Sequence, residues 1–314
     1  MIQSRWAKTP MMILGAMFCC FLWGSAFPCI KIGYRLFHIE GADTASQILF
    51  AGCRFTIAGM MVILFASLSN RTFVRPKSPF RIATLSAFQT VIQYLFFYIG
   101  LAHTTGVKSS IITGAGTFLT LFVCCLGFRQ EKLTAKKVVG SLLGFIGIIL
   151  VNLKGNSIDF DITLVGEGFI LISAFSSAMA SGFIKKFSKE SNVVMLSGYQ
   201  FFFGGIVMAV TGFSIGGRLH GIRGTSILLL LYMGFISAAA YTLWGILLKY
   251  NDVSKVSTCK FMNPVFGVLL SFLLLRENNE LGWQVPVALV FVCLGIIIVN
   301  DLVLHRENRD KISG

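Results

Sequence analysis

Two stretches of this chain repeat each other: FLTLFVCCLGFRQE at residues 118–131 and PVFGVLLSFLLLRE at residues 264–277. A second pair follows in the same order, with IGIILVN at 146–152 and LGIIIVN at 294–300. Matching positions are 146 to 148 residues apart, which is close to half of the 314-residue chain. The pattern indicates an internal duplication.

The amino-acid composition indicates that this duplicated chain folds in a membrane. Hydrophobic residues make up 55% of the chain, charged residues only 13%, and the mean hydropathy is +0.78. Soluble domains contain about 25% charged residues, so a soluble protein is excluded. A spanning helix needs roughly 20 mostly apolar residues, and the sequence contains ten such segments. They lie near residues 11–36, 46–68, 82–102, 105–128, 137–153, 165–184, 193–215, 225–248, 254–275 and 281–303.

Ten spans and one duplication predict two repeats of five helices, residues 1–154 and 155–314. Because each half crosses the membrane an odd number of times, the halves point in opposite directions, as in many secondary transporters. The predicted fold is an all-α integral membrane protein with ten transmembrane helices in a 5+5 inverted-topology repeat.

The basic residues behind the net charge of +14 are distributed unevenly between the two sides of the membrane, and this distribution predicts the orientation of the chain. With a cytoplasmic N-terminus, the inner segments hold 18 of the 27 Lys and Arg residues and the outer loops hold six. Cytoplasmic loops are enriched in Lys and Arg, so we predict a multi-pass protein of the cytoplasmic membrane with both termini in the cytoplasm. Nucleic acid is not an expected partner.

Cysteine and histidine positions do not predict a reaction centre. All eight cysteines fall within predicted spans, and the four histidines are scattered through loops and termini. Neither set has the spacing of metal ligands or of a nucleophilic triad. We therefore expect no metal, no cofactor and no enzymatic activity.

Three cations lie where hydrocarbon should exclude them: Lys31 in span 1, Arg54 in span 2 and Lys260 in span 9. A charge at the centre of a spanning helix costs about 2.5 to 3.5 kcal/mol on insertion scales, so such residues are functional candidates. Lys31 can instead reach the interface, and Arg54 can bond to carbonyls of a neighbouring helix. Lys260 is the strongest candidate for a solute-binding role.

Span 3 carries a polar and aromatic stripe. Gln89 and Gln93 are four residues apart, with Tyr94 and Tyr98 on the adjacent stripe. The stripe is predicted to line a solute cavity or, alternatively, to make hydrogen bonds between helices. Asn263 is a further candidate for contact with solute. Weaker candidates on other spans are Trp23, Tyr199, Gln200, Tyr241 and Trp244.

Helix breakers occupy matching places in the two halves. Span 9 contains Asn263-Pro264 at its middle, and span 4 contains Gly114 and Gly116 at the corresponding place. Paired Gly/Pro interruptions point to a midplane site between repeats. Pro28 is predicted to break span 1 as well.

These residues resemble a known family. The WGSAF of span 1 (23–27), Arg54-Phe55, GLAHTTGVKSSIIT (100–113) and NPVFGVLLSFLLLRE (263–277) are similar to the drug/metabolite transporter superfamily, specifically its EamA-type members. The acidic residues that close spans 4 and 9, Glu131 and Glu277, fit the same pattern. The resemblance implies a central cavity and frequent export of amino acids or other metabolites. Phe118 stands where the family often has proline.

The predicted function is a permease for small polar metabolites, and its expected partners are a small-molecule solute and the lipid bilayer. Three buried cations and the lack of an acidic residue well inside any span favour a solute with a carboxylate, with export of amino acids as the leading expectation. Uptake of organic anions or sugar-like solutes is one alternative. A non-transporting or lipid-translocating membrane protein is another.

Overall fold

A computed structural model describes residues 6–71, 78–104, 106–152, 163–275 and 284–300. The described residues form ten helical segments, which we number α1 to α10 in chain order. The first five are α1 (Thr9–Leu36), α2 (Thr44–Asn70), α3 (Pro79–Ala102), α4 (Gly106–Phe122, continued by Val123–Gly127) and α5 (Ala135–Asn152). The second five are α6 (Leu164–Phe187), α7 (Val193–Ser214), α8 (Gly224–Tyr250), α9 (Val253–Thr258, Cys259–Phe261 and Met262–Leu275) and α10 (Gln284–Val299).

Within the described residues, eight of these helices are long and apolar enough to cross a membrane, and Gln284–Val299 is a shorter apolar helix. The prediction of an all-α membrane protein is confirmed, and the described helices are consistent with the ten predicted spans. The predicted boundary between the halves, at residues 154 and 155, lies outside the described residues, as does Glu277.

Local side chains set where several helices begin. The Asp43 carboxylate accepts a hydrogen bond from the Ser46 N–H (3.0 Å) ahead of α2, and the Asn192 amide oxygen accepts one from the Val194 N–H (2.9 Å) ahead of α7. Such caps satisfy N–H groups that have no partner within the helix. They fix the entry of α2 and α7, which pack against each other at the centre of the molecule.

Each of the main helix contacts has an equivalent contact between the corresponding helices of the other half. Helix α2 packs on its counterpart α7, and α5 packs on its counterpart α10. Helix α1 packs on α8 and α9, and its counterpart α6 packs on α3 and α4. Exchanging α1 with α6, α3 with α8 and α4 with α9 leaves this set of contacts unchanged. The fold therefore has an approximate two-fold axis, as an inverted repeat requires.

Two pairs of residues mark this axis. Phe55 and Phe201, 146 positions apart, stack with ring centroids 5.4 Å apart and an interplanar angle of 11°. Tyr94 and Tyr241, 147 positions apart, join their hydroxyl groups in a hydrogen bond. Both separations match the repeat offset of the sequence. A residue that contacts its own counterpart must lie on a two-fold axis, so the axis passes through both pairs.

The pair α5–α10 owes its close packing to glycines. A Cβ on Gly147 would lie 2.6 Å from Val292 Cγ2 and 2.9 Å from the Ala288 carbonyl oxygen. In the symmetric position, a Cβ on Gly295 would lie 2.9 Å from the Gly144 nitrogen. Small residues let membrane helices approach closely, and here they hold the outer pair of helices together.

Two of the predicted helix breaks are wrong. Helix α1 continues through Pro28, and Gly106–Phe122 continues through Gly114 and Gly116. Glycine keeps its N–H and permits a helix without forcing a break, and a single proline removes one hydrogen bond, which neighbouring turns can tolerate. In the structure the two glycines serve packing, because a Cβ on Gly114 would lie 2.5 Å from Ile148 and one on Gly116 would lie 3.2 Å from Ala174.

Candidate functional site

Four aromatic side chains lie in contact at the centre of the molecule. Tyr94 of α3 is hydrogen-bonded to Tyr241 of α8 on the two-fold axis. The Trp23 ring of α1 lies 5.0 Å from the Tyr241 ring and 5.0 Å from the Trp244 ring, measured between centroids. We call Trp23, Tyr94, Tyr241 and Trp244 the aromatic cluster. It joins helices of both repeats.

Arg54 lies at one end of the aromatic cluster. Its guanidinium carbon is 4.4 Å from the centroid of the Phe55 ring and 5.8 Å from that of the Tyr94 ring. The residue is only 5% exposed, and its Nε–H has no hydrogen-bond partner. Among the described residues no carboxylate forms an ion pair with it. The guanidinium is therefore a buried cation held mainly by aromatic faces.

Lys260 lies at the other end. Its Nζ is 5.4 Å from the centroid of the Trp244 ring. Within the described chain it too has no ion-pair partner. Starting from Val253, the first residue of α9, Lys260 is about 10 Å along the helix. The two cations thus flank the aromatic cluster.

Pro264 explains the local conformation around Lys260. Proline has no N–H, so the carbonyl four residues earlier, that of Lys260, loses its helical donor. Here the chain takes a tighter 3₁₀ turn over Cys259–Phe261 before α-helix resumes at Met262. The Cys20 thiol donates to the Cys259 carbonyl oxygen at 3.2 Å. The interruption predicted in span 9 is present, and it includes the lysine.

Several buried polar atoms, on the cluster residues, on Arg54 or on residues near Tyr94 and Lys260 in sequence, have no hydrogen-bond partner. They comprise donors on Trp23 (Nε1), Trp244 (Nε1) and Arg54 (Nε), and acceptors on Gln93 (Oε1) and Asn263 (Oδ1). The large majority of buried polar atoms in proteins are hydrogen-bonded, and each one left alone costs about 1 to 3 kcal/mol. A ligand with both acceptors and donors would satisfy this set.

Gln89 makes a hydrogen bond between helices, which is one of the two roles predicted for it. Its side-chain oxygen accepts from Gln200 Nε2 at 2.7 Å, and both residues are buried, with Gln200 fully inaccessible. Thr90 donates to the Gln200 side-chain oxygen at 3.3 Å. The Gln89 side chain thus links α3 to α7, and its amide oxygen is used in this hydrogen bond.

The polar stripe of α3 contains a π-helical turn, Ser86–Ile92, that sequence patterns did not indicate. Two serines of α6 donate to carbonyl oxygens in this region, Ser176 to Phe88 at 2.6 Å and Ser173 to Gln93 at 2.6 Å. The extra residue in the turn changes the face on which Gln93 and Tyr94 emerge. Such turns are frequent at functional sites.

The other predicted residues lie at different distances from the cluster. Tyr98 is buried, and its ring centroid lies 6.4 Å from that of Tyr94, so it extends the aromatic surface near Arg54. Lys31 is exposed, unlike Arg54. Its role in solute binding stays a prediction, and reaching the interface is the alternative.

Two inverted repeats with cations and aromatic side chains between them are typical of a membrane transport protein. Family comparison identifies it further. The chain matches the EamA-like transporter family over residues 10–153 and again over residues 164–301, and it belongs to that family. The family assignment made from the motifs is confirmed, and with it the expectation of a transporter.

Relatives and a solved structure agree with this assignment. An uncharacterized transporter of Archaeoglobus fulgidus is 26% identical, with 88% of this chain and 94% of the relative covered. The uncharacterized inner membrane transporter YedA of Escherichia coli K12 is 26% identical, with 91% of this chain and 88% of the relative covered. A protein crystal structure with 15% identity matches with a TM-score of 0.74 over 94% of this chain and 99% of its own, which concerns the fold alone.

Proposed function

We propose that the protein is a permease for small polar metabolites that carry a carboxylate, and that amino acids or related solutes are exported through it. The observation that carries the proposal is the pair of cations, buried Arg54 and half-buried Lys260, which flank the aromatic cluster without an acidic partner among the described residues. A membrane interior tolerates such charges when a counter-ion reaches them. A solute carboxylate supplies that counter-ion.

The unpartnered neutral groups favour a solute with an ammonium group as well. The indole N–H groups of Trp23 and Trp244 can donate to a carboxylate, and the amide oxygens of Gln93 and Asn263 can accept from an ammonium. Amino acids carry both groups. The aromatic faces between them suit the apolar part of such a solute.

We further propose that the protein lies in the cytoplasmic membrane with both termini in the cytoplasm. The 18 basic residues of the predicted inner segments, against six in the outer loops, support this orientation. One surface cavity of about 530 Å³ is lined by lysines from two of these predicted inner segments: Lys132, Lys136 and Lys137 from one, and Lys255 from the other. The two segments therefore lie on the same side of the molecule. Lys260 is then nearer the inner surface and Arg54 nearer the outer one.

The mechanism we propose is alternating access between the two repeats around the axis marked by Phe55–Phe201 and Tyr94–Tyr241. Contacts on a two-fold axis can persist while the halves rock against each other, because the axis is the line that moves least. Contacts away from the axis must break at one end of the molecule while equivalent contacts form at the other end. A solute passing outward would meet Lys260 first and Arg54 second.

A solute panel with purified protein in liposomes tests this function. We expect saturable flux of carboxylate-bearing solutes, with amino acids among them, and none in protein-free liposomes. Transport of neutral sugars without carboxylates would contradict the anion site and favour the sugar-like alternative. If folded protein moves no solute of the panel but moves labelled lipid between leaflets, the lipid-translocating alternative is correct.

Pro264→Ala should slow transport with little change in affinity. An alanine restores the N–H that the Lys260 carbonyl lacks, which favours regular helix through Cys259–Phe261 and stiffens the segment. We expect the maximal flux to fall about fivefold or more while the solute Kd changes less than about threefold, since no charged contact is removed.

The matched control is Pro79→Ala, because Pro79 lies in the first turn of α3, where proline is tolerated and its missing N–H has no helical partner anyway. Flux and equilibrium binding are measured for both variants at equal expression. A tenfold loss of affinity with unchanged maximal flux would show that Pro264 shapes the binding site and is not a hinge.

A further inference from the structure

Helices α4 and α9, which correspond to each other in the two repeats, meet at one end of the molecule. Helix α4 packs against the first part of α9, Val253–Phe261. The second part, Met262–Leu275, packs mainly against α1. The shared end is the one that carries the basic loops.

Glu131, just after α4, makes the polar contacts at this end. One carboxylate oxygen accepts from the Ser254 N–H at 3.0 Å, and the other accepts from the Ser254 hydroxyl and from Lys137 Nζ, the latter at 2.5 Å. The Lys137 ammonium also donates to the Lys132 carbonyl oxygen at 2.9 Å. The Glu131 carboxylate therefore binds both α5 of its own repeat and the start of α9 in the other repeat.

These contacts are buried, unlike most ion pairs at a protein surface. The side chains of Glu131 and Lys137 are 4% and 9% exposed, and Ser254 is 5% exposed. Exposed ion pairs contribute little, but charge-assisted hydrogen bonds shielded from water are among the stronger polar contacts. Ser254 lies six residues before Lys260, about 9 Å along α9, so these contacts lie between the basic end and Lys260 along this helix.

We propose that Glu131 is a gating residue of the transport cycle, whose carboxylate closes the lysine-rich end by holding the start of α9 to the α4–α5 turn. This role rests on the alternating access proposed above, and it adds the residue that controls opening at this end. Opening requires the two bonds from Ser254 to the Glu131 carboxylate to break, whereas the bond from Lys137 stays within the first repeat and orients the carboxylate. Removing the negative charge of Glu131 therefore shifts the protein toward the conformation open at this end.

The reporter is Ser257→Cys in a background without the native cysteines. Ser257 is one turn after Ser254 on the same face of α9, is 1% exposed, and its hydroxyl has no hydrogen-bond partner. A thiol there should react with a membrane-impermeant maleimide only when the lysine-rich end opens. Vesicles of both orientations are labelled, which reports the side of access and the orientation of the protein together.

We expect Glu131→Gln to raise the labelling rate of the thiol introduced by Ser257→Cys about tenfold or more from the lysine-rich side, with no rise from the other side. The matched control is Glu190→Gln. Glu190 is also at this end and pairs with Arg81, but its side chain is 71% exposed and it does not bind α9. The control should label at the parental rate.

Equal rates in Glu131→Gln and Glu190→Gln would overturn the proposal, as would a rise from the opposite side. If Glu131→Gln does not reach the membrane, Ser254→Ala removes the hydroxyl bond to Glu131 and Lys137→Gln removes the ammonium that orients its carboxylate, and the absence of a rise in both overturns the proposal equally. Labelling needs no solute. A negative result in the solute panel therefore does not contradict the role of Glu131, and a negative labelling result does not contradict the proposed solute site.

Discussion

Replacing Lys260 by Met should weaken binding of the transported carboxylate by about one to two orders of magnitude. The ammonium lies 5.4 Å from the centroid of the Trp244 ring, and the indole N–H groups of Trp23 and Trp244 have no hydrogen-bond partner. A charge-assisted hydrogen bond contributes roughly 1.5 to 3 kcal/mol net, and about 1.4 kcal/mol corresponds to tenfold in Kd. Methionine has a similar length and removes only the charge. Membrane insertion should be intact or improved, because a cation within the span is costly.

The control for this change is Lys186→Met, at the exposed C-terminal end of α6. Binding is measured by calorimetry or by displacement of a labelled solute found active in the liposome panel, and folding by size-exclusion chromatography. Unchanged affinity of Lys260→Met for every transported solute would remove Lys260 from the site and leave it as a packing or snorkelling residue.

Replacing Arg54 by Gln should also lower affinity by about ten to a hundredfold, and it should raise the thermal stability of the solute-free protein. The stacked pair Phe55 and Phe201 aligns the two repeats, so the residue that corresponds to Arg54 in the second repeat is Gln200. Gln200 is fully buried in a neutral hydrogen-bond network. The equivalent position of the second repeat thus already accommodates a glutamine. Arg54→Gln also removes a buried cation that has no ion-pair partner among the described residues, which should raise stability.

Arg218→Gln is a closely matched control. The Arg218 guanidinium carbon also lies 4.4 Å from a phenylalanine ring centroid, that of Phe213, but the residue is exposed in the loop after α7. Its replacement should change neither affinity nor stability by more than a small amount. If Arg54→Gln retains affinity but loses folded yield, Arg54 is a structural residue of α2 and the anion site contains Lys260 alone.

The sequence by itself determined the class of fold, because hydrophobicity and repetition are properties of the chain and need no tertiary contacts. Ten apolar segments, the repeat offset and the motifs around Arg54 and Asn263-Pro264 together predicted an EamA-type inverted repeat, and the family comparison confirms the family. Lys260 and Arg54 could be selected as candidates for the same reason. A charge in an apolar segment is costly wherever the helix packs.

Tertiary structure decided which candidates come together and which do not. Gln89 and Gln93 are four residues apart, which predicts that they share one stripe of α3. In the structure a π-helical turn separates them, Gln89 bonds to Gln200, and the Gln93 amide oxygen has no partner. Tyr94 and Tyr241 are far apart in sequence and meet only because each lies on the axis that relates the repeats. Glu131 looks like an ordinary loop residue in the sequence, and its link to Ser254 exists only where α4 and α9 converge. Hydrophobic patterning specifies that a helix crosses the membrane, but the rotation of each helix and its neighbours follow from packing of specific side chains, which no single segment encodes.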